Sequence, residues 1–147
     1  MTGREDGQIS VLLIGMIAIA LTLVMGVVGV TSVQLSRIQL LDAADAAALD
    51  AADAMAEDQA YREGLGDGVP LTDTGVATAA GAHLAQRVMP SRVVSWTLVG
   101  DTGTPEGRTA VVELQGQVRI PVLSSALEQL GGGVTVTVRS SARSDLE

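Results

Sequence analysis

An α+β fold is predicted, in which a long amino-terminal helix, transmembrane and then amphipathic, precedes one short helix and an antiparallel sheet of about three strands. Three observations predict it. Residues 8–36 form a run of twenty-nine positions without a charge. No proline occurs from Ile9 to Arg62, and glycine there is confined to positions 15, 26 and 29. Beyond Val94 the spacing of apolar residues shortens to two, the period of a strand with one covered face.

The first element is a span over residues 9–35, because an apolar run longer than ~18 residues suffices to cross a hydrocarbon core roughly 30 Å thick. Its length separates it from a cleaved secretory signal, whose apolar region is about 7 to 15 residues long and ends at a small-x-small site. Here the run ends in Gln34-Leu-Ser-Arg37. Over residues 36–63 the helix continues as an Ala/Asp-rich segment, with Leu40, Ala44, Ala47, Ala48, Ala51 and Met55 on one face and Asp42, Asp45, Asp53 and Glu57 on the other. Gly64-Leu-Gly-Asp-Gly68 and Pro70 terminate it.

Residues 64–147 supply the small domain. Asp73 is positioned to cap a second helix, on which Val76, Ala80, Leu84 and Val88 recur every four residues until Pro90. A first strand carries Val94, Trp96 and Leu98 on one face, and residues 100–107 read as a loop. In the second strand Ala110, Val112, Leu114, Val118 and Ile120 share a face, opposite Val111, Glu113, Gln115, Gln117 and Arg119. Leu123 to Leu130 reads as a helical turn or two, and Val134 to Arg139 alternates as a third strand.

Composition narrows the function classes. A net charge of −8, concentrated between Asp42 and Asp67, lacks the basic patch that nucleic acid requires. All nine cations are arginine, and cysteine, lysine and phenylalanine are absent, so the core is built from Val, Leu, Ile and Ala without disulfides. His83 is the sole histidine, which leaves zinc and Cys/His chemistry without ligands or a nucleophile. Ser124 and Ser125 lack the G-x-S-x-G context of a serine nucleophile. The six carboxylates between Asp42 and Asp58 diverge along a helix instead of converging from a loop, so they read as a solvated face and not as a calcium site. The loop carrying Asp101 and Glu106 reads as turn residues. No catalytic, cofactor or metal residue is assigned, and an enzyme is not expected.

The functional candidate is instead a stripe of small residues. At 100° per residue Gly15, Ala18, Thr22, Gly26 and Gly29 fall on one face of the span, and Ala44, Ala47 and Ala51 continue it in the second half of the helix. Within lipid there is no hydrophobic drive between helices, so close backbone approach along small residues is a principal means of association.

Asp6-Gly-Gln-Ile-Ser10 before the span and Arg37-Ile-Gln-Leu-Leu-Asp-Ala-Ala-Asp-Ala-Ala-Ala-Leu-Asp-Ala-Ala-Asp53 after it resemble the TadE/TadG-like group of Tad-type pilus-assembly proteins. The resemblance covers roughly the first fifty-five residues. It implies a minor pilin-like or assembly component of a Tad/Flp pilus, or of a related secretion system. Residues 1–8 would then be cytoplasmic and residues 64–147 extracytoplasmic, in a cytoplasmic-membrane protein. The partners it implies are other pilins or platform proteins, self-association included. Flp-type pilins are cut after a glycine, usually with glutamate five residues on; Gly7–Gln8 is the positional candidate, but Leu12 occupies that fifth position, so cleavage is disfavoured. The alternative is a membrane-anchored extracytoplasmic interaction module unrelated to pili, with an anchored hydrolase a distant third.

Overall fold

The computed structural model describes residues 5–63, 72–120 and 133–143. The elements follow the expected order: α1 Glu5–Glu63, α2 Asp73–Gln86, β1 Val93–Leu98, β2 Thr109–Val118 and β3 Val134–Arg143. The three strands form one antiparallel sheet in the order β1-β2-β3. The expected terminator at Gly64 to Pro70, the turns at Leu123 to Leu130, and Ser124 and Ser125 lie outside the described residues.

α1 is a single unbroken helix of 59 residues. At 1.5 Å per residue that is about 88 Å, far more than a bilayer requires. Residues 8–28 make no buried contact, whereas Gly29, Ser32, Ser36, Leu40 and six alanines from Ala43 to Ala52 are buried. These positions recur at three and four, the stripe that a helix presents to one neighbour. The neighbour is the rest of the chain: the sheet and α2 cover this stripe, and one core joins Leu40 and the alanines to Val76, Ala80, Leu84, Val93, Ala110, Val112, Leu114, Val118 and Val138.

β2 is the central strand and supplies most of the sheet's covered face. Ala110, Val112, Leu114 and Val118 are fully buried, and Gly116 lies in phase with them. Its missing side chain accommodates Leu40: a Cβ on Gly116 would stand 2.7 Å from both Leu40 methyls. A glycine inside a strand marks such a close approach. Pairing of Leu114 with Leu98 and Val138, and of Gly116 with Trp96 and Val136, extends the apolar layer across the sheet.

Several local expectations are corrected. Thr72, not Asp73, caps α2, its hydroxyl accepting the Gly75 N–H at 3.1 Å. Asp73 sits in the first turn and its Oδ1 instead accepts the Thr104 N–H at 2.7 Å, tying the helix to the loop after β1. Val88 does not extend the buried row of Val76, Ala80 and Leu84: α2 ends at Gln86, Arg87 turns to φ −84°, ψ 137°, and Val88 is 89% exposed. In β1 the register shifts between Val93 and Ser95, so Val93 is buried and Val94 faces out, leaving only Trp96 and Leu98 on the expected face. Val111, expected on the outward face, is buried beside Gly103, with which it exchanges two backbone hydrogen bonds of 2.8 and 2.9 Å.

Candidate functional site

The small-residue stripe divides where the sheet begins to cover α1. Gly15 and Gly26 have nothing within 4 Å of the position a Cβ would occupy, and Ala18 and Thr22 are exposed. Gly29 is the transition, buried with Ile120 Cγ2 3.8 Å from its virtual Cβ. Above it Ala44, Ala47 and Ala51 are fully buried by the chain's own sheet and α2. The stripe therefore divides in two: its upper half is filled by the chain itself, and its lower half is uncovered.

Hydroxyl groups in the apolar stretch are satisfied within the helix. Thr22 Oγ1 donates to the Ala18 carbonyl at 2.8 Å and Thr31 Oγ1 to that of Val27 at 2.9 Å. Ser36, fully buried under the sheet, donates to the Ser32 carbonyl at 3.0 Å. Such bonds to the preceding turn satisfy these three hydroxyls within the helix itself. Beside it, Met25, Gly26, Gly29, Val30, Val33, Gln34 and Ile120 line an apolar groove of about 340 Å³.

The carboxylates of α1 flank the buried stripe and hold the small domain to it. Asp42 pairs with Arg87 just beyond α2, Asp45 accepts a hydrogen bond from Ser140 of β3, and Asp50 lies 3.6 Å from His83 Nδ1. Reading these residues only as a solvated face missed their contacts; the three-residue spacing of Asp42 and Asp45 beside the alanine row was the available signal. Gly116 was missed too, although a glycine amid alternating β2 residues was visible. Asp101 pairs with Arg139 at 3.7 Å on the rim of the loop at residues 100–105. Among the described residues, no group of three or more His, Cys, Asp or Glu side chains is placed to hold a metal ion. Gly7 and Gln8 lie near the start of α1.

α1 is the helix long and apolar enough to cross a membrane, with a mean hydropathy of 2.9 in its most apolar stretch, none of it buried. Residues 7–54 match the Tad family model, described as Flp pilus-assembly TadE/G-like. The matched segment thus contains both the bare lower half of α1 and the clad upper half. No curated protein and no solved structure matches the chain.

Proposed function

We propose that this chain is a single-pass, membrane-anchored structural or assembly component of a Tad/Flp-type pilus or related secretion system, minor pilin-like, with its amino terminus inside and its small domain outside. The observation that carries this reading is the unbroken α1. The family match at residues 7–54 takes in the apolar and the Ala/Asp halves together, and the fold joins them in one rod that is bare below Gly29 and clad above it. The bare half supplies an anchor and a small-residue face; the clad half carries a head whose loops and outer sheet face are free for partners. This is a role for packing and positioning, not for catalysis.

A photo-crosslinking residue in place of Gly26, in the native cell, tests the reading. Adducts with other pilins, with platform proteins or with a second copy are the expected outcome; intact pilus assembly in a strain lacking the chain, together with no such adduct, refutes it. One observation favours the second reading, an anchored interaction module unrelated to pili. Ala44, Ala47 and Ala51 are covered by the chain itself, so this part of the stripe is not left for filament neighbours. Under that reading adducts form from the exposed head and the loss of the chain leaves pili intact.

A further inference from the structure

We propose that the span-proximal end of the head, formed by Arg92, Arg119 and Ile120 with Arg37 of α1, rests on anionic lipid headgroups. The inference rests on the proposed membrane span of α1 and takes its uncovered part, residues 8–28, as the portion inside hydrocarbon. β2 runs down α1 toward that span: Gly116 meets Leu40 and Ile120 meets Gly29. Those contacts lie about 16 Å apart along the helix and about 13 Å apart along the strand, as expected for two elements descending together. Below Gly29 the uncovered helix is about 31 Å long, which matches a hydrocarbon core of roughly 30 Å. The end of the sheet is thereby set at the boundary between hydrocarbon and headgroups.

The charges at that end suit the surface they would meet. The Arg119 N–H donates to the Arg92 carbonyl at 2.9 Å, which places both arginines next to Ile120. Arg37 is exposed about 12 Å along α1 from Gly29. Among the described residues, Arg37, Arg92 and Arg119 have no carboxylate partner. Glu128 lies in the connection at residues 121–132, outside the described residues, but carboxylates are missing from residues 8–41, 87–99, 114–120 and 133–138. They gather farther up, at Asp50, Asp53, Asp73, Asp101 and Glu106. Exposed Val88 and Met89 precede Arg92 in the same loop. An unpaired arginine at an anionic surface favours contact by about five-fold, and three act together here.

The absence of native cysteine permits a direct test on the full chain in lipid nanodiscs. Single cysteines introduced as Val24→Cys, Ser91→Cys and Glu106→Cys carry a small fluorophore, and lipids bearing a nitroxide on the headgroup or the acyl chain act as quenchers. In discs containing one part phosphatidylglycerol to about two parts phosphatidylcholine, headgroup quenching at position 91 is expected to exceed that at position 106 several-fold. Arg92→Glu with Arg119→Glu should bring position 91 close to the level of position 106. If that pair disturbs the circular dichroism spectrum, Arg92→Gln with Arg119→Gln replaces it. Equal quenching at 91 and 106, or no response to removal of the charges, overturns the proposal and leaves this end to solvent or a protein partner. Acyl-chain quenching at position 24 separates the two levels: if it is retained there while headgroup quenching at 91 falls to the level of 106, headgroup contact alone is refuted, and if it is lost at 24 the span is refuted as well.

Discussion

Gly116 and Leu40 show how much one missing side chain decides. Leu40 is fully buried, and burying such a side chain contributes on the order of 1.5–3 kcal/mol. It reaches that position because β2 presents only backbone at Gly116. Gly116→Ala is therefore expected to destabilise the head by about 1–3 kcal/mol, the usual cost of overpacking a tight core. The effect should shrink when Leu40→Ala is also present, because the colliding methyls are then gone. Thermal unfolding of the four proteins of this cycle, each as the full chain in nanodiscs, measures the coupling; strict additivity would mean that the two residues do not compete for one space.

At the scale of the element, the two glycines at 26 and 29 part company although they share one helix face. Among the described residues a Cβ at Gly26 would have nothing within 4 Å, while one at Gly29 would stand 3.8 Å from Ile120 Cγ2. Gly26→Leu should leave the folding of the head unchanged and weaken association with a neighbouring helix in the membrane. Gly29→Leu should weaken association and also lower the unfolding temperature, because its side chain must displace Ile120. Association by energy transfer between labelled copies, or by crosslinking to a partner, read beside thermal unfolding, distinguishes them. Equal association for Gly26→Leu and the parent chain would remove the lower stripe as a packing face.

At the scale of the whole molecule, the proposed outward orientation of the head makes a simple prediction about labelling. A cysteine introduced at exposed Glu106 should react with an impermeant thiol reagent on intact cells, and one at Thr2 should react only after permeabilisation. The reverse pattern would invert the chain in the membrane. The sign of this result is not set by charge near the span, because Arg4 on one side balances Arg37 on the other.

The long helix, the apolar run that starts it, the helix after Thr72 and the three alternating strands could all be read from residues near one another in the chain. Each is a periodicity, and a period of 3.6 or of two is a local property. Even the buried members of α1 were mostly legible, since Leu40, Ala44, Ala47, Ala48 and Ala51 lie on a common face. What a face packs against is a different matter. Only the tertiary structure decided that the upper alanine face is claimed by the chain's own sheet, that Gly116 is a socket for Leu40, that Val88 turns outward, and that coverage of α1 begins at Gly29. Each of these depends on contact between segments separated by tens of residues, where strand register and helix endings, not local pattern, choose the partner.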